Sequence, residues 1–238
     1  SVAAVCFDLD DTLCVSARSD AEFHAEVFDR VGVDPIVTPR ELRAVPPAAI
    51  ERESTGNTDL DGIAEFYTKL YRAAVRTAET DVSPDSPLIE ALGRAAGALY
   101  DPTAVEFRAG AEATLEYVRD RYEVGLITNG TRETQTTKLD QLGIAGAFET
   151  TVFCDPARGI DGKPAREPFE LALEGLSASA ERTLHVGDSH GEDVLGAHNA
   201  GLQSAWAPLD RPHVEPPTDP EPAPTYRVPS LTDLLDVL

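Results

Sequence analysis

Three carboxylates fall within four residues at the end of an apolar run, in Val5-Cys6-Phe7-Asp8-Leu9-Asp10-Asp11-Thr12-Leu13. Asp8 and Asp10 are two apart, so on a continuing strand both side chains point to the same side. Two close carboxylates repel each other unless a cation or a shared proton relieves them. The chemistry this favours is binding of a hard divalent metal. Mg2+ takes oxygen ligands, with waters and substrate phosphate completing its shell. One carboxylate is then free to act as a nucleophile and another as an acid and base. A polar turn after a buried strand is the plain alternative.

Three further groups could join them. Thr128-Asn129 offers a hydroxyl, an amide and turn N–H groups, which suit phosphoryl oxygens. Lys163-Pro164 puts a cation ahead of a helix, in a chain with only three lysines, Lys69, Lys138 and Lys163. Asp188 and Asp193 flank a tight Gly187-Asp188-Ser189-His190-Gly191 turn. A surface lysine and solvated, helix-capping loop acids would carry the same letters. Asn129-Gly130-Thr131 also matches a glycosylation sequon, which a strand-end turn of a cytosolic protein would not use.

The elements needed to hold these residues can be read from the pattern. Ala3 to Asp8 is a buried strand. From Cys14 to Val105 the chain turns to helical segments with no convincing strand. One carries Phe23, Val27 and Phe28 on a single face. Another is capped by Asp59 and runs through Ile63, Phe66, Leu70 and Val75. A third follows Pro87 from Leu88 to Leu99. From Gly110 strands and helices alternate: helix 111–121, strand 123–128, helix 131–142, strand 151–154, helix 169–176, strand 183–186, helix 192–200, strand 203–206. Such alternation predicts a parallel sheet built from crossover units. The expected fold is a Rossmann-like parallel sheet core flanked by helices, residues 1–13 and 106–238, with an all-helical domain inserted at 14–105. A Pro-rich loop from Pro208 to Pro224, holding His213, leads to an edge strand at Tyr226-Arg227-Val228. Ser230 to Asp233 opens a last helix with a capping-box variant.

Taken together the four stations resemble the haloacid dehalogenase superfamily. Its motifs are matched in order by Asp8-Leu9-Asp10-Asp11-Thr12-Leu13, by Thr128, by Lys163-Pro164, and by Gly187-Asp188 through Asp193. The resemblance implies that Asp8 is the nucleophile of an aspartyl-phosphate and Asp10 the general acid and base. Thr128 and Asn129 would bind the phosphoryl group, and Lys163 would neutralise charge. Mg2+ would be held by Asp8, Asp188 and the Asp10 backbone carbonyl, with Asp193 in support. Asp11 stands where many relatives carry Gly. The helical insert fits the family's cap. Within the superfamily the core segments look most like the house-cleaning nucleotidase and N-acylneuraminate-9-phosphatase group. Phe23, His24, Arg30 and Arg52 are candidate cap contacts, each with packing or surface exposure as its simpler account. His190 could reach the site, while His185 and His198 read as structural.

The bulk numbers narrow the partners. The net charge is -22, from 42 acidic and 20 basic residues. That acidity, with arginine over lysine, resembles cytosolic proteins of extreme halophiles, in which high salt screens self-repulsion. It disfavours nucleic-acid polymers and anionic membranes, because like charges repel. No apolar run is long enough to span a bilayer, and the first residues lack the flank and apolar stretch of a signal peptide. Cys6, Cys14 and Cys154 are scattered, as expected of reduced thiols in a cytoplasmic protein. The reading is a Mg2+-dependent phosphatase acting on a small phosphorylated metabolite. A phosphomutase using the same intermediate and an idle binding protein on this fold are the alternatives. A carbon–halogen hydrolase is disfavoured, since that class does not keep the acid/base Asp two residues after the nucleophile.

Overall fold

The computed structural model describes residues 1–55, 60, 62–210 and 216–238. Strand β1 (Ala4–Phe7) is buried on both faces, as an apolar strand inside a parallel sheet must be. Its residues alternate between two cores. Val5 and Phe7 join Leu115, Leu126 and Val186 on one side, and Ala4 and Cys6 join Ile127, Phe169 and Leu176 on the other. That is the period of two expected of a strand.

After β1 come β2 (Cys14–Ser16) and five helices: α1 (Asp20–Val31), α2 (Pro39–Arg43), α3 (Pro47–Glu51), α4 (Gly62–Val75) and α5 (Pro87–Leu99). The chain continues through β3 (Val105–Phe107), α6 (Ala111–Arg119), β4 (Glu123–Asn129), α7 (Arg132–Gln141), β5 (Thr150–Cys154) and α8 (Glu167–Leu176). It ends with β6 (Thr183–Gly187), α9 (Leu195–Ala200), β7 (Gln203–Trp206), β8 (Tyr226–Arg227) and a 3-10 turn at Leu231–Asp236. Six parallel strands form one sheet in the order β5-β4-β1-β6-β7-β8. From β1 the chain steps outward through β4 to β5, then returns to β6 and steps out the other way. The reversal falls at β1, and such switch points open a crevice at the carboxyl ends of the strands. The expected Rossmann-like α/β core is therefore present.

Two compact units result, Ser1–Ala17 with Pro102–Leu238, and Arg18–Asp101. The second is helical among its described residues, around Phe23, Val27, Phe28, Leu70, Tyr71, Ile89 and Leu92. A capping box between Ser19 and Glu22 starts α1. Ser86 caps α5, whose first turn begins with Pro87, where a missing N–H costs nothing.

Some local readings need correction. Cys14–Ser16 is a strand, paired antiparallel with Val105–Phe107. Three-residue strands carry too little alternation to stand out. The helix expected from Glu192 instead starts with a π-type turn at His190–Val194, and regular α-helix begins at Leu195. The last helix is 3-10, opened by the Ser230–Asp233 capping box. Asp59 and His213 lie outside the described residues.

Candidate functional site

Asp8 is the first residue past β1, and its N–H donates to Val186 O at 2.9 Å. The ladder to β6 thus continues one residue beyond the strand and fixes the acid. The chain then folds back. Leu13 N and Cys14 N both donate to Leu9 O, at 2.9 and 3.0 Å, and Asp11 N donates to Cys14 O at 2.7 Å. Asp11 takes φ 60° to do so, in the left-handed region open to Gly, Asn and Asp. Arg108, buried, ties this loop to the end of β7. Its guanidinium donates to Asp11 O at 2.8 Å, Ala207 O at 2.7 Å and Pro208 O at 3.0 Å.

Lys163 is 3% exposed. Its ammonium donates to Asp8 Oδ1 and to Asp193 Oδ1, each at 2.7 Å. Asp193 Oδ1 also lies 2.9 Å from His185 Nε2, and its Oδ2 accepts the Ser189 N–H at 3.0 Å. Asp188 follows β6 directly, its backbone carbonyl accepting from Trp206 Nε1 at 2.7 Å. Carboxylate oxygens of Asp8, Asp188 and Asp193 lie within 4.8 Å of one another.

Burial pushes the Asp8 carboxyl up to about 8, with Lys163 opposing and Asp193 adding to the rise. Burial works against the charged forms of Asp193 and Lys163 too. Lys163 and His185 nevertheless hold Asp193 below the ordinary carboxylate range, and Asp193 and Asp8 hold Lys163 above the ordinary lysine value. Burial pulls His185 down. The ammonium bridges two of the three crowded acids, Asp8 and Asp193. Three carboxylates with oxygens this close form an all-oxygen, hard donor set that fits a divalent cation.

The Asp10 carboxylate is not one of the three crowded acids. Both its oxygens accept from Lys138 Nζ, at 2.7 and 2.9 Å, and Oδ2 also accepts from Gln135 Nε2 at 2.8 Å. Gln135 Nε2 further reaches Thr128 Oγ1 at 2.6 Å and Asn129 O at 3.2 Å. Thr128 is fully buried at the end of β4. Asn129 faces the Lys163 segment. Its Oδ1 accepts the Lys163 N–H at 2.9 Å and its Nδ2 donates to Glu192 Oε2 at 3.0 Å. The amide expected to meet a phosphoryl group is thus already engaged by protein partners. A pocket of about 440 Å3 opens above these groups, lined by Asp8, Asp10, Asn129, Asp188, Glu192 and Trp206 among others.

All seven expected site residues, Asp8, Asp10, Thr128, Asn129, Lys163, Asp188 and Asp193, gather at the carboxyl ends of β1, β4 and β6 or in the segments after β5 and β6. His190 lines the pocket, but its Nε2 lies 2.8 Å from Pro222 O. His198 is exposed on α9. Phe23 and His24 are buried in the helical unit, where His24 Nδ1 is 2.7 Å from Tyr71 Oη, while Arg30 and Arg52 are exposed. Sequence reasoning passed over Arg108, Gln135, Lys138 and Glu192. A signal existed for two of them. Helix α7, Arg132–Gln141, has Leu139 as its one apolar residue, so its inward face had to be polar.

Fold and site together define an α/β protein of the Rossmann-like type, with an acid–lysine centre at the switch point of its sheet. The chain belongs to the haloacid dehalogenase-like hydrolase family, whose model matches residues 2–201. It is 35% identical over 130 residues to the pyrimidine 5'-nucleotidase YjjG of Escherichia coli K12, covering 54% of this chain and 55% of that one. It is 32% identical over 147 residues to the pyrophosphatase PpaX of Bacillus cereus B4264, covering 58% and 62%. The matched region spans less than two thirds of the length of these curated relatives. Two solved structures share the fold over nearly the whole of both chains. A predicted phosphoglycolate phosphatase from Haemophilus somnus 129PT has TM-score 0.73 at 20% identity, covering 99% of this chain and 97% of its own. YfnB from Bacillus subtilis, bound to magnesium, has TM-score 0.68 at 21% identity, covering 100% and 98%.

Proposed function

We propose that this chain is a Mg2+-dependent phosphomonoester hydrolase that acts on a small phosphorylated metabolite through an aspartyl-phosphate on Asp8. The observation that carries this reading is the Lys163 ammonium, 2.7 Å from Asp8 Oδ1 and 2.7 Å from Asp193 Oδ1 at the floor of an acidic pocket. A carboxylate anchored through one oxygen keeps the other for attack. Phosphoryl transfer asks a protein chiefly for positioning and charge compensation.

In the first step an Asp8 oxygen bonds to phosphorus as the bond to the ester oxygen breaks. Asp10 gives its proton to the departing alkoxide. In the second step Asp10, now ionised, takes a proton from water. The water oxygen bonds to phosphorus, the acyl-phosphate bond breaks, and Asp8 is restored. Lys163 offsets charge on Asp8 and the phosphoryl oxygens. Thr128 Oγ1 accepts from Gln135 at 2.6 Å, which leaves the hydroxyl proton to donate to a phosphoryl oxygen. Asn129 acts through the Lys163 segment that it holds. Asp8, Asp188 and the Asp10 backbone carbonyl would hold Mg2+, supported by Asp193, and the ion when bound would stabilise charge on the phosphoryl oxygens.

The helical unit Arg18–Asp101 is read as the cap, the part that selects the substrate. The three buried free thiols suit a reducing, cytoplasmic setting. The matched relatives are a nucleotidase and a pyrophosphatase, so a phosphate-release screen should begin with nucleoside monophosphates and pyrophosphate. Run in concentrated KCl, it should give phosphate that depends on Mg2+ and stops with EDTA. Product analysis with sugar phosphates would reveal a mutase. Halide release from haloacids with no phosphate from any ester would sink the reading.

A further inference from the structure

Helix α7 buries a cation where its neighbours bury hydrocarbon. Its inward residues are Gln135, Lys138 and Leu139. Gln135 and Lys138 are three apart, so they share one face. A buried ammonium is expensive unless it is paired and hydrogen-bonded, and packing alone gives no reason to keep one here. The Lys138 side chain is 8% exposed, whereas the Asp10 side chain it meets is 45% exposed. Lys138 therefore grips the acid from the protein side, and the opposite side of the carboxylate remains open to the pocket.

We propose that Lys138 and Gln135 form a clamp that sets the position of the Asp10 carboxylate for proton transfer. Lys138 spans both oxygens at 2.7 and 2.9 Å. Gln135 adds a bond of 2.8 Å to Oδ2 and ties the same amide to Thr128 Oγ1 and Asn129 O. Rotation of the Asp10 side chain breaks two or three of these bonds at once. Cys14 Sγ adds a weak donor 3.8 Å from Oδ1, and the 45% exposure of the Asp10 side chain leaves its pocket side to the leaving-group oxygen or the attacking water. Through Gln135 the clamp also links the proton carrier to Thr128. Lys138 and Gln135 are positioning residues, since they act through Asp10 and are not themselves among the described residues that line the pocket.

The proposal rests on the phosphatase reading, and its test separates the two. The full chain in concentrated KCl is assayed with phenyl and p-nitrophenyl phosphate as Lys138→Met, Lys138→Arg, Asp10→Asn and the Asp10→Asn/Lys138→Met double variant. The kcat/KM value reads the first chemical step. Complete loss of an acid or base costs about 10²–10⁴ in rate, so partial misplacement by Lys138→Met should lower kcat/KM for phenyl phosphate about 10- to 100-fold. The loss should be much smaller for p-nitrophenyl phosphate, whose leaving group needs no proton. Lys138→Arg, which keeps a two-toothed cation, should recover part of the loss. If Lys138 acts through Asp10, the double variant should lie within about threefold of Asp10→Asn alone, since effects routed through one group do not add. Multiplied losses, or equal losses for both esters, overturn the clamp while leaving the phosphatase reading intact. So does a well-folded Lys138→Met with unchanged kinetics. Should Lys138→Met fail to fold, Gln135→Met decides on the same criteria. A wild type that releases phosphate from no ester overturns both readings together.

Discussion

A Cβ atom placed on Gly187 would sit 2.1 Å from Cγ of Asp193 and 2.2 Å from its Oδ2. The residue that closes β6 is therefore glycine because the second acid of the fourth motif packs directly onto its α-carbon. Asp193 in turn holds Lys163, and Lys163 holds Asp8. A one-carbon change at Gly187 should travel along this chain of contacts. Gly187→Ala is expected to cost about 1–3 kcal/mol of stability, as overpacking does, and to lower turnover more than it raises KM. Denaturant unfolding alongside steady-state kinetics measures both. A variant with native stability and native kcat would show that Asp193 can move aside freely.

His24 gives the helical unit a dependence on pH. Its Nδ1 lies 2.7 Å from Tyr71 Oη in the buried core. Burial pulls its pKa from 6.5 down to about 4, with Asp20 opposing and Arg43 adding to the fall. The unfolded chain therefore binds a proton at His24 more readily than the folded one. The contribution is intact above about pH 6.5 and is lost as pH falls towards 4, at up to about 1.4 kcal/mol per pH unit. His24→Phe should flatten that part of the profile. Unfolding measured at pH 7, 5.5 and 4.5 for both proteins isolates it. A wild-type-minus-variant difference that does not change with pH would refute the assignment.

The charge of -22 predicts a need for salt. Many of the basic residues are already committed to exposed pairs, such as Arg18–Glu26, Lys69–Glu65, Arg94–Glu90 and Arg166–Glu170. Exposed pairs of this kind add about 0–1 kcal/mol each, so they do not offset the repulsion among the remaining acids. The thermal midpoint should climb as KCl rises from dilute buffer towards molar concentration, since screening shortens the reach of that repulsion. A midpoint independent of KCl would count against it.

Much of the site could be read in the sequence because each part is local. Asp8 and Asp10 follow a run of apolar residues, and Gly187-Asp188 ends another, so strand ends and acids come together on the page. Lys163 stood out by scarcity. The clamp on Asp10 did not, because Gln135 and Lys138 become partners of Asp10 only when β4 lies beside β1. An isolated glutamine and lysine on a polar helix look like a solvated face. Arg108 was hidden for a similar reason. The carbonyls of Asp11, Ala207 and Pro208 accept from it, and backbone groups leave no trace in residue identity. The β2–β3 pair was missed because three-residue strands are held by their ladder and carry no pattern of their own.

The acids after β1 allow mechanism and class to be tested together. Asp8 is buried and bonded to Lys163, whereas Asp10 is partly open and held by Lys138 and Gln135. On the proposed mechanism the two acids have different tasks, so the two amide variants should fail differently. Asp8→Asn should end turnover, because an amide is a poor nucleophile and a weaker metal ligand. Asp10→Asn keeps the backbone carbonyl and removes the proton carrier, which typically costs about 10²–10⁴ in rate. With an activated aryl phosphate the first step needs little protonation, while attack by water still lacks its base. A phosphorylated Asp8 should therefore accumulate in Asp10→Asn and be absent from Asp8→Asn. Rapid quench followed by mass analysis of the peptide carrying Asp8 would detect the added phosphoryl group. Near-normal turnover in a well-folded Asp8→Asn would remove Asp8 from the role of nucleophile. Phosphate release from Asp10→Asn at the wild-type rate, with no phosphoenzyme, would remove Asp10 from the proton-transfer path and take with it the purpose of the clamp behind it.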